Sequence, residues 1–344
     1  MIRASIIVVV YNSQPYLAAS LGSICADLGP HDELIVVDNS STDGSAALVR
    51  EYFPQAQLLV GPNGGYAGGN NRGAAHACGA FLVFLNPDTR IEPGAIDGLI
   101  KPLADPAVGL TTACLVHMSQ PELVNACGNT VHISGLTYCR GADQPRSAFA
   151  LACDVDAVSG AACAIRSELF AQLDGFDQRF FMYMEDTDLS LRARLAGYSC
   201  RYTPEAVVAH DYAMNMSPRK AFYLDRNRHL LLLKNLSGPS YRRALPALLL
   251  GELLTAGFHL LKGPRYWLVK PHVYAWLLAN WDHVRAARTQ AKAQQPSAEE
   301  ALLRGLSHRL DFGQLMSRPL ARLAGWLFHP PFRMAHLLLS GGRQ

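Results

Sequence analysis

The chain has 344 residues, enough for one large domain with an appendage or for two ordinary domains. Apolar residues make up 49% and charged residues 17%, which is a globular composition and excludes a largely disordered chain. The net charge of +3 is unevenly distributed, because residues 1–240 hold 17 Lys and Arg against 23 Asp and Glu, whereas residues 241–344 hold 14 against 5. The basic C-terminal part predicts an anionic partner, and its Leu, Trp and Phe content favours a membrane surface over nucleic acid.

The cysteine pattern and the N-terminal sequence indicate the cellular compartment of the protein. The eight cysteines form no CxxC pair, which disfavours a structural zinc site and a disulfide framework and favours reduced thiols. The apolar run over 4–11 is too short for a signal peptide and is typical of a core strand. We therefore expect a cytoplasmic catalytic part.

Strands and helices alternate through the first part of the chain. The predicted elements, in chain order, are strands over 5–10, 33–37, 57–60 and 81–85 and helices over about 15–28 and 41–52. Ser41, Thr42 or Asp43 is the expected cap of the second helix. Residues 63–73 are predicted to form a glycine- and asparagine-rich loop, with a helix opening over 72–79. The alternation predicts an α/β fold with a mostly parallel, doubly wound sheet.

Polar side chains follow the strand ends, where ligands bind in such sheets. Asn12 follows the first strand, Asp38 the second and Asp88 the fourth, which predicts a nucleotide site at that edge. Backbone amides of the glycine-rich loop could approach a pyrophosphate. Its glycine spacing is a weak dinucleotide fingerprint, because it follows the third strand and not the first. His210 ends a later apolar run and is either a structural histidine or a ligand from a distant strand end.

Two acidic motifs suggest chemistry. Asn86-Pro87-Asp88 places a carboxylate at the end of a buried strand, where it can bind Mg²⁺ together with a diphosphate, although these residues also make a good turn. Glu185 and Asp186 are predicted at the N-terminus of a helix that ends at Gly197, where the helix dipole favours the ionised form that a general base needs. Acids are common in any first helical turn, but the aromatic stretch before these two could also exclude water.

The order of the motifs resembles that of a known family. In chain order the motifs are SIIVVVYNS, ELIVVDNSSTDGS, NGGYAGGNNRG, FLNPDT, SGAACAIR, GFDQRFFMYMEDTDLSLRARLAGY and VVAH. The series resembles the bacterial family 2 glycosyltransferases of GT-A fold, and within them the rhamnosyltransferase-like branch of cell-surface polysaccharide synthesis. The resemblance covers about residues 3–235. It implies a GT-A catalytic domain, which we place over 1–240. The charge and composition of the remaining residues predict a basic, apolar helical tail over 241–344.

The resemblance also implies a role for each matching residue. Asp186 would be the catalytic base with Glu185 beside it, and Asp88 and His210 would hold a divalent cation, Mg²⁺ or Mn²⁺. Asn86 stands in the first acidic position of the family's DxD element, which leaves Asp88 as the main carboxylate ligand. The residues implied on the acceptor side are Ser159, Gly160 and Ala161, and those on the nucleotide-sugar side are Tyr11, Asn12, Asp38, Asn39, Gly65, Tyr66, Asn70, Asn86 and Arg226.

The implied reaction is an inverting single displacement in which Asp186 takes a proton from an acceptor hydroxyl. The implied donor is dTDP-L-rhamnose, with a UDP-hexose as the alternative, and the implied acceptor is a glycan or a lipid-linked glycan. A nucleotidyltransferase would need a glycine-rich basic loop after the first strand, and a dehydrogenase would need GxGxxG there; YNSQPY is neither. Loss of Asp88 or Asp186 would favour a non-catalytic assembly protein, and both are present.

The tail suggests contact with a membrane surface. Ala244–Leu261 is apolar, but Glu252 near its centre offsets most of the insertion free energy of about 3–5 kcal/mol, so a true membrane span is not predicted. Aromatic and leucine clusters interleaved with Arg and Lys are typical of interfacial helices. We expect peripheral association with the inner face of the cytoplasmic membrane. The alternative is a soluble helical subdomain that packs on the catalytic part.

Overall fold

The computed structural model describes residues 2–212, 215–291, 296–314 and 316–339. The strands are β1 (Ala4–Val10), β2 (Asp32–Asp38), β3 (Gln57–Val60), β4 (Phe81–Leu85), β5 (Thr89–Ile91), β6 (Val108–His117), β7 (Val124–Ala126), β8 (Asn129–Val131), β9 (Thr137–Cys139), β10 (Cys153–Val155), β11 (Ala162–Arg166) and β12 (Ser199–His210). The helices are α1 (Gln14–Asp27), α2 (Ser45–Tyr52), α3 (Gly65–His76), α4 (Ala95–Ile100), α5 (Ser167–Gln172), α6 (Glu185–Leu195), α7 (Pro218–Asn235), α8 (Gly238–Lys262), α9 (Pro264–Trp267), α10 (Val269–Ala279), α11 (Trp281–Ala291), α12 (Pro296–Gly305) and α13 (Arg318–Leu339).

Ten of the described strands form the main sheet, and its first strands pair as predicted. β3, β2, β1 and β4 lie side by side and run parallel. β11 pairs antiparallel with both β4 and β6, and β12 runs parallel to β6. β5 and β10 pair antiparallel with β12, and β7 pairs antiparallel with β6. The predicted α/β fold with a central sheet and flanking helices is confirmed. The sheet is mixed, so the prediction of mostly parallel pairing holds for the first four strands, whereas the later pairs are antiparallel except β6 with β12.

The central strand β1 is buried on both faces. Ile6 and Val8 lie in one hydrophobic cluster, together with Leu17 and Leu21 of α1. Ile7 lies in the second cluster, on the opposite face of the sheet. A strand covered on both faces has no polar side to present to water, which explains the uninterrupted apolar run that predicted it.

The glycine-rich segment predicted as a loop over 63–73 is mostly helical. α3 begins at Gly65, so the prediction of a helix opening at residue 72 is also wrong. A Cβ atom added to Gly69 or Gly73 would lie 2.6 Å or less from a side-chain atom of β1. The glycines therefore let α3 lie directly against the sheet, and this packing outweighs a helix penalty of about 1 kcal/mol for each glycine.

Helix α2 begins later than predicted. It starts at Ser45 after Gly44, whose φ of 90° is left-handed, so Ser41 and Thr42 do not cap it. The Asp43 carboxylate accepts hydrogen bonds from the backbone amide and the hydroxyl of Ser45 and from the first amide of α1. Asp43 thereby ties the starts of the two helices together beside the ends of β1 and β2.

The chain divides into two compact units. One comprises Met1–Asn129 with Cys139–Ala213 and contains the main sheet; the other comprises Thr130–Tyr138 with Met214–Gln344 and contains the C-terminal helices. This division is one of packing, and the functional division predicted at residue 240 stays a prediction.

Within the second unit, α8 is the one described helix that is long and apolar enough to cross a membrane, with a mean hydropathy of 1.6 over its most apolar stretch. Length and composition alone are weak support for a span. Glu252 lies in this helix, 2.6 Å from Lys270 Nζ, and also pairs with Arg228, which is fully buried. The acid that interrupts the apolar stretch therefore holds α8 to α7 and α10.

Candidate active site

The first feature of the site is an acid–histidine pair at one edge of the main sheet. β5 follows Asp88 directly and pairs with the end of β12, where His210 lies opposite Thr89. The Asp211 amide donates a hydrogen bond to the Asp88 carbonyl oxygen at 3.0 Å, which holds the two segments together. As a result, His210 Nε2 lies 3.4 Å from Asp88 Oδ1, although the two residues are far apart in the sequence.

These two atoms are suited to a shared cation. Asp88 Oδ1 and His210 Nε2 are both buried, and neither has a hydrogen-bond partner among the described residues. Buried polar atoms without partners are rare in folded proteins and call for an explanation. Two donor atoms that each lie about 2.1 Å from one divalent ion can be separated by the distance observed here. The pair therefore fits the divalent cation that the resemblance implies.

The second feature is the Asp186 carboxylate at the start of α6, which begins at Glu185 as predicted. Asp186 Oδ2 accepts a hydrogen bond from the Gly160 amide at 2.7 Å, and its Oδ1 accepts one from the Thr187 amide at 2.6 Å. The Tyr66 hydroxyl donates to the Gly160 carbonyl oxygen at 2.6 Å. Asp186 is therefore held through both oxygens, and it shares one hydrogen-bonded group with Gly160 and Tyr66.

Backbone hydrogen bonds connect the two features. The predicted acceptor-side residues 159–161 form the turn that precedes β11. The Asn86 amide donates to the Ala161 carbonyl oxygen at 3.0 Å. Gly160, the residue before Ala161 in this turn, donates its amide to Asp186. Asp88 follows Asn86 by two positions. The segment that carries Asp88 and the carboxylate of Asp186 are therefore both attached to this one turn, beyond the end of β4.

Burial shifts the pKa of both acids of α6 upward. Burial raises the pKa of Glu185 well above its usual range, and the charges of Asp186 and Asp188 raise it further. Burial also raises the pKa of Asp186, and the hydrogen bonds from Gly160 and Thr187 partly offset this effect. The expectation that the helix N-terminus favours the ionised form of these acids stays a prediction, and burial acts in the opposite direction.

Replacing Glu185 by Gln is expected to stabilise the folded chain at neutral pH. Because the pKa of Glu185 is raised in the folded state, the folded chain loses stability as the pH rises above the unfolded value of about 4.3. An uncharged Gln avoids this loss, which is about 1.4 kcal/mol for each unit of pKa difference. The Tm of Glu185→Gln should exceed that of the wild type at about pH 7.5, and the difference should shrink at about pH 4. A lower Tm at the higher pH would contradict this interpretation.

Three buried oxygens lie near the ends of β2 and the start of α3. Asp38 Oδ1, Asn39 Oδ1 and Asn70 Oδ1 have no hydrogen-bond partner among the described residues. The remaining polar atoms of these side chains are fixed, because Asp38 Oδ2 accepts from the Ser41 amide and both asparagines donate to backbone carbonyls of α3. The three oxygens can therefore accept hydrogen bonds from hydroxyl or N–H groups of a ligand.

Tyr11 and Asn12 follow β1 at the same edge of the sheet. Tyr11 is 53% exposed, and an exposed ring can stack on a nucleobase. Asn12 has a φ of 51°, and its Oδ1 accepts a hydrogen bond from the Thr42 amide at 2.8 Å. Both residues therefore lie at the predicted edge of the sheet, and their role beside a nucleotide stays a prediction.

The segment before α6 is backbone-strained and packs on the start of α3. Phe181, Tyr183 and Met184 all have φ between 63° and 68°, which is uncommon for residues with side chains. Gly65 has a φ of 69°, and a Cβ atom there would collide with the Phe181 carbonyl. Such strain persists only where the surroundings impose it, and it clusters at functional sites.

Protein-family models decide the family. The model "Glycosyl transferase family 2" matches residues 5–134. The model "Glycosyl transferase family group 2" matches residues 81–284, which is more than half of the chain. The chain belongs to the family 2 glycosyltransferases. The predicted family is confirmed, and with it the prediction of a nucleotide-sugar glycosyltransferase.

Relatives of this glycosyltransferase include rhamnosyltransferases. It is 27% identical to the N-acetylglucosaminyl-diphospho-decaprenol L-rhamnosyltransferase of Mycobacterium tuberculosis, over 64% of this chain and 79% of the relative. It is 26% identical to the rhamnosyltransferase WbbL of Escherichia coli K12, over 60% of this chain and 82% of the relative. The predicted similarity to the rhamnosyltransferase-like branch is therefore confirmed.

Solved structures share the GT-A fold of this glycosyltransferase. Residues 1–349 of TarS from S. aureus match with a TM-score of 0.52 at 18% identity, over 99% of this chain and 92% of that chain. GalNAc-T7 in complex with UDP, GalNAc and Mn²⁺ matches with a TM-score of 0.54 at 15% identity, over 67% of this chain and 48% of that chain. Matches at such low identity establish the fold alone.

Arg226, the last predicted nucleotide-side residue of this glycosyltransferase, belongs to the second compact unit. It is buried, and its guanidinium lies 4.4 Å from the ring centroid of Trp276 and 4.9 Å from that of Tyr223. Stacking on aromatic rings is a packing role that the sequence did not predict. The role of Arg226 beside a nucleotide stays a prediction.

The second unit also brings three possible metal ligands together, Asp225, His229 and Glu252. Lys270 Nζ lies 2.8 Å from Asp225 and 2.6 Å from Glu252, and Arg228 pairs with both acids. A divalent ion would have to displace these two cations. The group is therefore best explained as an ion-pair cluster that joins helices.

Two residues of the candidate site have no signal in the sequence. Asn125 Oδ1 lies 3.0 Å from His210 Nδ1, and the Tyr212 ring stacks on the His210 ring with centroids 5.4 Å apart. Asn125 lies in the three-residue strand β7 and belongs to no recognisable motif. Its contact with His210 depends on the sheet topology, which the local sequence pattern does not define.

Proposed function

We propose that this glycosyltransferase moves a sugar from a nucleoside diphosphate to an acceptor hydroxyl with inversion, in a reaction that depends on a divalent cation. The supporting observation is that the Asp88–His210 pair, with its two unpartnered atoms, lies beside the turn that holds Asp186. Asp88 and His210 would hold the cation, Mg²⁺ or Mn²⁺. When bound, the ion would neutralise negative charge on the departing diphosphate.

Asp186 acts as the general base in this proposal. The amides of Gly160 and Thr187 fix the orientation of its carboxylate, and burial makes it a stronger base than an exposed Asp. Asp186 takes the proton of the acceptor hydroxyl while that oxygen bonds to the anomeric carbon, and the bond from this carbon to the diphosphate oxygen breaks. Attack from the face opposite the nucleotide inverts the configuration. Glu185 lies beside the base and, with its raised pKa, can keep its proton.

The donor nucleotide would bind along the ends of β1 and β2. The unpartnered oxygens of Asp38, Asn39 and Asn70 can accept hydrogen bonds from base, ribose or sugar groups, and the Tyr11 ring can stack on the base. The turn 159–161 would meet the acceptor, because it is attached to the proposed base.

The donor sugar in this proposal is L-rhamnose, carried by dTDP, and the acceptor is a glycan or lipid-linked glycan of a cell-surface polysaccharide. Support comes from the names of the two rhamnosyltransferases, one of which acts on a decaprenol-linked sugar by its name. A UDP-hexose is the competing donor.

A donor panel tests the proposed function. Purified full-length chain with Mn²⁺ would be given dTDP-rhamnose, UDP-glucose, UDP-N-acetylglucosamine and GDP-mannose, and the nucleoside diphosphate released would be measured with and without a polyprenyl-diphosphate-linked sugar. We expect acceptor-dependent release from dTDP-rhamnose. If a UDP-sugar is the only donor that releases its diphosphate, the transferred sugar is a hexose and not rhamnose. If no donor binds and none releases its diphosphate, the proposed function is contradicted.

We further propose that the second unit binds the cytoplasmic face of an anionic membrane. Leu320, Leu323, Leu327, Met334 and Leu338 of α13 are all at least half exposed, and their spacing puts them on one side of the helix. Phe332, Ala335 and Leu339 are buried on another side of the same helix. An exposed apolar stripe on a basic unit is typical of a helix that lies in the membrane interface. We name these five residues the α13 stripe.

Exchanging Leu320, Leu323 and Leu327 for Gln is expected to weaken vesicle binding at least about tenfold. A tenfold loss corresponds to about 1.4 kcal/mol of binding free energy, which is less than the free energy gained by fully burying one Leu side chain. Binding would be measured by sedimentation with vesicles that contain about 30% phosphatidylglycerol. Leu151→Gln, at a leucine that is 82% exposed in the first unit, is the matched control. Equal binding of the triple variant and the control would contradict a membrane role for the α13 stripe.

A further inference from the structure

We propose that Asn125 positions His210 by fixing its tautomer, so that the Nε2 lone pair points toward Asp88 and can bind the cation. The inference rests on the proposed cation site and adds to it a residue that the motifs do not contain.

A bulge in the sheet directs Asn125 toward the histidine. β7 pairs with β6 through Val116–Val124 and Leu115–Ala126, which leaves Asn125 as the extra residue between two paired positions. Bulges of this kind redirect a side chain and are frequent beside active sites. Asn125 and His210 are each 6% exposed, and Asn125 Oδ1 lies 3.0 Å from His210 Nδ1. The contact is therefore buried and is built by an irregularity of the strand.

The chemistry of the two side chains then defines where the proton lies. A carboxamide oxygen only accepts hydrogen bonds, so the Nδ1 of His210 must carry the proton. A neutral imidazole has a single N–H, which leaves Nε2 as an acceptor. Nε2 thus faces another acceptor, Asp88 Oδ1, at 3.4 Å, and neither atom has a hydrogen-bond partner among the described residues. A divalent cation between these two lone pairs would give both atoms a partner.

The reversed amide orientation makes the opposite prediction. If the Asn125 Nδ2 group pointed at His210, it would donate to Nδ1, and the proton would lie on Nε2. Nε2–H would then donate to Asp88, and the pair would be an ordinary hydrogen bond without need of a cation. The position of one proton therefore distinguishes a cation site from a structural pair.

The first test is ¹⁵N NMR of the full-length, histidine-labelled chain without metal at about pH 8. The His210 signals would be assigned by comparison with His210→Gln. We expect a protonated Nδ1 and an unprotonated Nε2. A protonated Nε2 in the wild type would overturn the proposal, and this result does not depend on the folding of any Asn125 variant.

The second test is the affinity for Mn²⁺ alone, measured by calorimetry. Asn125→Leu is expected to weaken Mn²⁺ binding about 10–100-fold, the usual effect of losing such a supporting partner. Asn125→Asp keeps an acceptor oxygen and should retain both the tautomer and the affinity. Asn129→Leu is the matched control, because Asn129 is also buried and donates only to the Val158 carbonyl, at 3.0 Å, through its side chain. Wild-type affinity in a folded Asn125→Leu variant would overturn the proposal.

Failure of this inference and failure of the cation site are separable. If His210→Gln loses Mn²⁺ but folded Asn125→Leu does not, Asn125 has no positioning role, and the cation site stands. If His210→Gln binds Mn²⁺ as tightly as the wild type, the cation site itself is wrong, and the inference fails with it.

Discussion

Replacing Asp186 by Asn is expected to lower kcat for sugar transfer by about 10²–10⁴-fold, the usual contribution of general-base catalysis. The amide of Asn cannot take the proton of the acceptor hydroxyl at neutral pH. Donor affinity should stay within about threefold of the wild type, because the unpartnered oxygens proposed for the nucleotide belong to other residues. Initial rates and donor titrations on the same preparation would measure both quantities. Full activity in Asp186→Asn would remove this residue from the base role.

Asp177→Asn is the matched control for the Asp186 variant. Asp177 is also a buried carboxylate that accepts a hydrogen bond from a backbone amide, that of Arg179 at 3.0 Å, and it lies in the segment leading to α6. Because it pairs with Arg179 and is not part of the proposed site, its substitution should affect Tm more than kcat. A loss of kcat as large in Asp177→Asn as in Asp186→Asn would indicate a structural effect and not the loss of a base.

Replacing Asp88 by Asn is expected to weaken Mn²⁺ binding at least about tenfold and to lower kcat/KM by about 10²–10³-fold, because one charged ligand is lost and the charge of the leaving diphosphate is less well neutralised. Binding would be measured by calorimetry and turnover by nucleoside diphosphate release at several Mn²⁺ concentrations. A substantial part of the activity should return at high Mn²⁺ if the variant lowers affinity and does not alter the fold.

The chain supplies a matched control for Asp88 as well. Asp143 also pairs with a histidine, since His117 Nε2 lies 2.9 Å from Asp143 Oδ1, but this aspartate is largely exposed and the pair is an ordinary hydrogen bond. Asp143→Asn should leave the Mn²⁺ affinity and kcat/KM unchanged. If Asp143→Asn lowered the Mn²⁺ affinity and kcat/KM as much as Asp88→Asn, the Asp88–His210 pair would not be the cation site.

The sequence predicts the first half of the sheet and the positions of Asp88 and Glu185 within their elements well, because each signal is local. The run SIIVVV predicts a doubly covered strand, and β1 is one. Asp88 follows a strand and Glu185 starts a helix, so their positions depend on neighbouring residues alone. Features that depend on packing were missed. The glycines of α3 predict a loop because their close packing on β1 cannot be seen in the sequence, and nothing in the local sequence shows that Glu185 is buried.

Asn125 is a residue of the site that local sequence patterns could not predict. Nothing in residues 124–126 distinguishes this asparagine, and its contact with His210 arises because β6 carries β7 and β12 as neighbouring strands. Pairings between segments so far apart in the chain are not encoded in local periodicity. Arg226 is a related case, since its packing on Trp276 depends on how α7 and α10 meet.

The most direct measurement is a crystal structure of the chain with Mn²⁺ and the donor nucleotide diphosphate, with data collected at the manganese absorption edge. The proposal predicts an anomalous peak bonded to Asp88 Oδ1 and His210 Nε2 and to the diphosphate, with the Asp186 carboxylate facing the position of the sugar. A peak at Asp225, His229 and Glu252 instead, or a diphosphate bound away from Asp88 and Asp186, would contradict it.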